Sequence, residues 1–126
     1  MTILYASDLH LEMADNREWM DLHPLIPSAD ILILAGDIMY LRDSHYHFEI
    51  IDKWSAEFKQ VYIVPGNHEF YQRSFPMKNI FPSFKKELRK NVTYLNNRSL
   101  IIEDVNFLFT TLFTRVKKTS TQHDER

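Results

Sequence analysis

Three short polar motifs, each directly after an apolar run, carry the side chains in this sequence that could do chemistry. They read S-D-L-H at 7–10, G-D at 36–37 and G-N-H-E at 66–69. Their candidate ligands are Asp8, His10, Asp37 and Asn67. Carboxylate and amide oxygens together with an imidazole nitrogen suit Mn²⁺, Fe or Zn²⁺. One carboxylate between the motifs could bridge two ions about 3.5–4 Å apart, with a bridging hydroxide as the nucleophile for hydrolysis.

The apolar runs before the motifs, at residues 2–6, 31–35 and 61–64, are predicted to be buried strands. Residues 48–60 place apolar side chains at helical spacing, and a short helix is expected near residues 17–22. Strand, helix and strand in this order indicate a parallel βαβ unit, and hence an α/β fold with a mostly parallel sheet and flanking helices. Ligand sites in such sheets form beyond the carboxyl ends of the strands, so we expect the three motifs to converge there.

Both glycines of the chain, Gly36 and Gly66, lie in these motifs. A residue without Cβ lets the backbone turn sharply from a strand and approach another group closely. We therefore interpret both glycines as positions where a strand end must present ligands. The alternative is that the polar residues merely cap strand ends and satisfy backbone groups. For any single polar residue of the three motifs we favour that alternative, but we do not favour it for all of these residues together.

Beyond the third motif, the sequence predicts one more helix, three strands and a polar tail. The helix is placed at residues 82–90, with Phe84 and Leu88 facing inward. The predicted strands are 92–95, 100–102 and 107–113. We expect a single domain at 1–113, followed by a solvated tail at 114–126.

Composition limits the classes of function. The chain has 126 residues, 44% hydrophobic and 25% charged, which suits one ordinary globular domain. A net charge of −2 argues against strong nucleic-acid or membrane-surface binding, although basic residues at 85–90 could attract a phosphate-bearing substrate if they are not simply solvated. Cysteine is absent, which excludes disulfides and thiolate metal sites and fits a reducing compartment. With no spanning segment or signal peptide, we expect a cytoplasmic chain.

The order D-x-H, then G-D, then G-N-H-E, each after its own apolar strand, resembles the calcineurin-like metallophosphoesterases. The fuller forms S-D-L-H-L-E at 7–12 and G-N-H-E-F-Y at 66–71 are similar to a bacterial branch of uncharacterised phosphoesterases. The resemblance covers most of residues 1–113. It implies an α/β sandwich that hydrolyses a phosphomonoester or phosphodiester with two divalent metal ions, which would be Mn, Fe or Zn.

Position by position, the resemblance also implies roles for single residues. Asp8 and His10 would bind the first metal. Asp37 would bridge both metals, and Asn67 would bind the second metal and contact the substrate phosphate. His68 would protonate the leaving oxygen or stabilise the charge that builds up on phosphorus. The catalytic residues implied in this way are Asp37 and His68.

The sequence departs from the family pattern after the third motif. The second half of the family domain brings a further histidine and a G-H-x-H motif, which complete both metal sites. No glycine follows Gly66 here, and the single later histidine is His123. We therefore expect a truncated sandwich, similar to the N-terminal half of the domain, with one ion or none retained and with impaired catalysis. The alternative is an inactive remnant, or a subunit of a split assembly, that binds metal weakly or binds a protein partner.

A few remaining residues have open interpretations. Glu69 is expected to shape the turn rather than to bind metal. His45 and His47 have the alternating spacing of a metal pair, but they also fit an exposed helix entry with Ser44 as N-cap. His123 could reach a neighbouring chain's site or be solvated. An uncovered sheet in a half-fold predicts a homo-oligomer or a partner chain that covers it.

Overall fold

In a computed structural model of the chain, residues 1–41, 48–70 and 83–112 are described. Several predictions fall outside these ranges, namely those on Ser44, His45, His47, His123 and the tail at 114–126. Within the described part, strands and helices alternate from the first strand to the third. This confirms the predicted α/β class.

The three apolar runs form parallel strands that lie side by side. They are β1 (Ile3–Ala6), β2 (Ile31–Ala35) and β3 (Gln60–Val64), close to their predicted positions. Leu4, Leu32 and Val61 are register partners across the three strands, so the apolar side chains that face the core form continuous rows. Because the strands run in one direction, their carboxyl ends meet at a single edge of the sheet, where all three motifs lie.

Beyond β3, the sheet continues with β5 (Val92–Asn96), parallel to β3, and ends with β4 (Phe84–Arg89), antiparallel to β5. The predicted helix at 82–90 is therefore wrong. A turn between β4 and β5 folds the segment back, and strand pairing overrides its helical spacing. Phe84 and Leu88 still pack against the core, because a spacing of four residues fits one face of a strand as well as one face of a helix.

The two helices lie in the connections between the parallel strands. They are α1 (Ala14–Leu22), longer than predicted, and α2 (Phe48–Glu57), slightly shorter than predicted. Ile51 and Trp54 of α2 are fully buried in the core, and each contributes about 1.5–3 kcal/mol through burial. Neither helix in the described part of the chain has the length and hydropathy needed to cross a membrane.

In the part of the chain that the structure describes, the opposite face of the sheet is only partly covered. A two-stranded antiparallel sheet, β6 (Arg98–Ile102) and β7 (Val105–Phe109), contributes a contact between the rings of Phe109 and Tyr62, whose centroids are 5.3 Å apart. On β1, the Tyr5 side chain is 79% exposed. The described residues thus form an incomplete α/β sandwich with a mostly parallel sheet and flanking helices, as predicted. The second layer of two strands was not predicted.

Candidate metal centre

The loops that follow β1 and β2 are joined to each other by backbone hydrogen bonds. The amide of Asp8 donates to the carbonyl of Gly36 at 2.9 Å, and the amide of His10 donates to the carbonyl of Asp37 at 3.0 Å. Asp8, His10 and Asp37 have positive φ angles of 56°, 47° and 55°. Each such angle costs a residue with a Cβ about 1–2 kcal/mol, and strain of this kind concentrates at functional sites. The first two motifs therefore meet in a strained pair of loops that carries three candidate ligands.

Asp8, His10 and Asp37 form what we term the metal-ligand group. One carboxylate oxygen of each aspartate and one ring nitrogen of His10 lie within 4.8 Å of one another. The side chain of Asp8 is 65% exposed and that of His10 is 21% exposed, so the group opens to solvent on one side. Two carboxylates and an imidazole fit a hard or borderline divalent ion, and the open side leaves room for water and substrate.

The two glycines lie against each other where β2 and β3 end. A Cβ on Gly36, whose φ is +92°, would lie 3.0 Å from the backbone of Gly66. A Cβ on Gly66 would overlap the Asp37 carboxylate and lie 2.7 Å from the Asp37 amide nitrogen. The glycines therefore let the second and third motifs approach each other closely, in keeping with the interpretation from the sequence.

The buried side chain of Glu69 links the second and third motifs through hydrogen bonds. Its buried carboxylate accepts the backbone N–H groups of Asp37 at 3.0 Å, Ile38 at 2.8 Å and Gly66 at 2.7 Å. Burial raises the pKa of Glu69 to about 7; hydrogen bonds from Ile38, its own amide and Gly66 oppose the rise, and the Asp37 carboxylate adds to it. Glu69 thus shapes the turn, as expected from the sequence.

The third motif adds His68 and Asn67 to the same edge of the sheet. The His68 amide donates to Asp37 Oδ1 at 2.9 Å, which ties the end of β3 to the end of β2. The rings of His68 and His10 meet edge to face, with centroids 4.4 Å apart. Asn67 is half-buried. Its neighbours in the chain, Gly66 and His68, are each held by a hydrogen bond from their backbone amide. The structure therefore brings Asp8, His10, Asp37 and His68 together, and Asn67 lies in the same loop as His68.

Glu12 is a site residue that the sequence analysis did not single out. Its side chain is 5% exposed, and its Oε1 lies 2.7 Å from His68 Nδ1 and 3.1 Å from His10 Nδ1. Burial alone would raise the pKa of Glu12, but hydrogen bonds from its own amide, His68 and His10 lower it below the usual value. The available signal was the last letter of S-D-L-H-L-E. Nothing in that spacing shows that the loop places Glu12 against His68.

Comparison with known proteins agrees with this geometry. The family model of calcineurin-like phosphoesterases matches residues 1–123. The chain belongs to this family. It is also similar to "Uncharacterized protein L509" of Acanthamoeba polyphaga mimivirus, with 29% identity over 133 aligned residues that cover 94% of this chain and 46% of that protein. No solved structure gives a significant match.

This calcineurin-like phosphoesterase chain spans about half the length of the curated relative that it matches. The family match is consistent with its resemblance to the N-terminal half of the domain. Membership implies divalent metals. Among the described residues, histidine and carboxylate side chains that could hold them are gathered in the metal-ligand group and in a second group formed by His10, Glu12 and His68.

Proposed function

We propose that the chain is a metallophosphoesterase that hydrolyses a phosphomonoester or phosphodiester with divalent ions such as Mn²⁺. The ligands would be Asp8, His10, Asp37 and Asn67. The observation that carries this proposal is the metal-ligand group, in which three residues with left-handed backbones bring their ligand atoms within 4.8 Å of one another. Loops held in strained conformations and aimed at one point are better explained by ligand binding than by capping of strand ends.

The residues of the chain can divide the work of ester hydrolysis among them. Divalent ions bound here would supply Lewis-acid activation of the phosphate ester and of the attacking water. Asp37 contacts the first motif through its carbonyl and the third motif through its carboxylate, so it is the carboxylate that two ions could share. His68 lies beside His10, where its imidazole could donate a proton to the leaving oxygen.

The proposed ligand set is smaller than the one the family resemblance implies, because these 126 residues contain no G-H-x-H motif. We propose that the first ion is held more tightly than the second, since Asp8, His10 and Asp37 all face the first position. The alternative function is a catalytically inactive remnant, or a split-assembly subunit, that binds metal weakly or binds a protein partner. The small ligand set is the observation that favours this alternative.

Metal stoichiometry tests the proposal directly. The chain is purified without chelator, incubated with Mn²⁺ and subjected to elemental analysis, together with Asp37→Asn and a matched control, Asp15→Asn, on the exposed side of α1. We expect at least one ion per chain in the natural sequence and in the control. Asp37→Asn should lose most of its metal, because the substitution removes the charge of the shared carboxylate. Unchanged metal content in Asp37→Asn would contradict the assignment.

A measurement of turnover distinguishes the proposed enzyme from the catalytically inactive alternative. The same samples and a His68→Ala variant are assayed with p-nitrophenyl phosphate and bis-p-nitrophenyl phosphate as model monoester and diester. We expect turnover that falls about 10²-fold or more in His68→Ala while metal content stays constant, because proton transfer typically contributes a factor of this size. Metal binding without turnover would support the alternative. Loss of metal in His68→Ala would mean that His68 is a ligand.

We also propose that another polypeptide, either a second copy of this chain or a partner chain, covers the open side of the sandwich. Tyr5 on β1 is exposed, as are Ile101 and Leu108, which lie on the same outer face of the β6–β7 pair. Exposed apolar side chains favour association when a partner removes them from water. Light scattering at micromolar concentration should give a mass above the 15.1 kDa of one chain. A stable monomer would contradict this proposal.

Two finer expectations from the sequence stay predictions. These are the cytoplasmic location and the identity of the bound metal, which would be Mn, Fe or Zn. Fractionation of cells that express the chain tests the first expectation, and competition between the three metals in the elemental analysis tests the second.

A further inference from the structure

Glu12 is a buried carboxylate whose partners are two side chains of the proposed site. Its Oε1 is within hydrogen-bond distance of Nδ1 of both His10, at 3.1 Å, and His68, at 2.7 Å. Its other oxygen, Oε2, is buried without a hydrogen-bond partner among the described residues. A buried polar atom left unpaired costs about 1–3 kcal/mol, so the stability of the fold does not explain a carboxylate at this position.

The chemistry of a carboxylate determines which ring nitrogens carry hydrogen. An ionised carboxylate accepts hydrogen bonds and cannot donate them, so each Nδ1 that contacts Glu12 must carry the hydrogen. In a neutral imidazole, Nε2 then holds the lone pair. For His10, this is the nitrogen that lies 3.8 Å from Asp8 Oδ1, within the metal-ligand group. The hydrogen bonds to Glu12 therefore select the form of His10 that can bind a metal ion through Nε2.

We propose that Glu12 is a positioning residue that fixes His10 and His68 together, with the Nδ1–H group of each ring directed at its Oε1. The inference rests on the proposed function, in which His10 is a metal ligand and His68 assists the leaving oxygen. A carboxylate behind a metal-binding histidine fixes its tautomer and orientation. A carboxylate bonded to Nδ1 of a proton-transferring histidine also fixes the tautomer, so that the exchanged proton is the one on Nε2.

One oxygen atom thus sets the orientation of two rings that have different tasks. His10 comes from the loop after β1 and His68 from the short 3-10 helix (His68–Phe70) that follows β3, and their ring centroids are 4.4 Å apart. Because both Nδ1–H groups use Oε1, the loss of Glu12 should disturb both rings at once. A carboxylate that merely fills space in the loop would leave the tautomers of both rings unchanged when it is replaced.

The experiment is a long-range ¹H–¹⁵N spectrum of the full chain labelled with ¹⁵N in histidine. It is recorded without metal at about pH 8.5, above the ordinary imidazole pKa of about 6.5. The variants are Glu12→Ala and, as a matched control, Glu18→Ala on the exposed surface of α1. Peak positions show which nitrogen of each ring carries hydrogen.

We expect Nδ1–H for both His10 and His68 in the natural sequence and in Glu18→Ala. In Glu12→Ala, both rings should shift toward the Nε2–H form. Hydrogen on Nε2 of either ring in the natural sequence would overturn the proposal, and so would an unchanged pattern in a folded Glu12→Ala variant. Because the natural sequence alone can overturn it, a variant that fails to fold does not leave the proposal untested.

Metal affinity supplies a second measurement. The Kd for Mn²⁺ of Glu12→Ala should be about 10–100-fold higher than that of Glu18→Ala, the range found when a carboxylate behind a metal ligand is removed. An equal Kd in the two variants would overturn the positioning of His10. If the natural chain binds no metal, the proposed function fails, while the spectrum of the metal-free chain still decides the role of Glu12.

Discussion

Glu12 and Glu69 are two buried glutamates beneath the same site, and they differ in the kind of hydrogen-bond donor that surrounds them. The donors to Glu69 include backbone amides of Asp37, Ile38 and Gly66, which belong to the ends of β2 and β3. The donors to Glu12 include the rings of two histidines. A carboxylate bonded to backbone groups fixes the shape of the loops, whereas one bonded to side chains fixes the groups that do chemistry.

The pKa values of the two carboxyl groups are shifted in opposite directions. Burial raises the pKa of Glu69 to about 7, with the hydrogen bonds it accepts opposing the rise. At Glu12, the hydrogen bonds from its own amide and the two histidines outweigh burial and lower the pKa. Two glutamates close together in the fold therefore have separate roles, one in folding and one in the site.

Glu69→Ala should have the largest effect on stability. Three backbone amides would lose their acceptor, and each buried unpaired donor costs about 1–3 kcal/mol, so we expect a loss of at least about 3 kcal/mol in the free energy of unfolding. Denaturant unfolding monitored by circular dichroism measures the loss.

Two control variants make that loss interpretable. The exposed Glu18→Ala substitution should change stability by no more than about 0.5 kcal/mol. Glu12→Ala should cost clearly less than Glu69→Ala, because imidazole rings can turn toward water and backbone amides cannot. An equal loss in Glu12→Ala and Glu69→Ala would break the proposed division of roles.

The pH dependence of stability should report on Glu69. Its pKa in the folded chain, about 7, is above the ordinary value of 4.5, so the folded state binds the proton more tightly. The stability that this proton contributes is complete below about pH 4.5 and is lost as the pH rises through about 7. At about 1.36 kcal/mol per pKa unit, this contribution is roughly 3 kcal/mol.

The measurement is the difference in unfolding free energy between the natural chain and Glu69→Gln, without metal, from pH 5 to 8. Taking the difference cancels the titration of the histidines, which both chains share. The advantage of the natural chain should shrink as the pH rises. A difference that grows with pH would mean that the hydrogen bonds to Glu69 outweigh its burial and keep it ionised.

Tyr94→Phe should have the smallest effect. The hydroxyl of Tyr94 donates to Glu69 Oε1 at 3.4 Å within the core, and a long neutral donor of this kind contributes about 0.5–1.5 kcal/mol. Tyr5→Phe, on the exposed part of β1, is the matched control and should be neutral. Metal content should be the same in both variants. A change in metal content in Tyr94→Phe would mean that Glu69 also controls the ligand positions.

Much of the fold could be predicted from local pattern. The apolar runs of β1, β2 and β3 and the helical spacing of α2 appear in the structure within a few residues of their predicted bounds. Strand β4 could not be predicted, because Phe84 and Leu88 are four residues apart, a spacing that suits both a helix face and a strand face. Pairing with β5 decided between the two. Similarly, β7 ends at Phe109, well before the predicted end at residue 113.

The sequence by itself determined the three parallel strands, the glycines at their ends and the candidate ligands Asp8, His10 and Asp37. These features depend on short-range periodicity and on motif order, which the chain carries locally. Tertiary structure alone decided that Glu12 meets both His10 and His68, and that the Glu69 carboxylate joins two strand ends. The contacts of Glu12 with His68 and of Glu69 with Asp37 join loops that are far apart in sequence, and they exist only once the parallel strands have brought their carboxyl ends to one edge of the sheet.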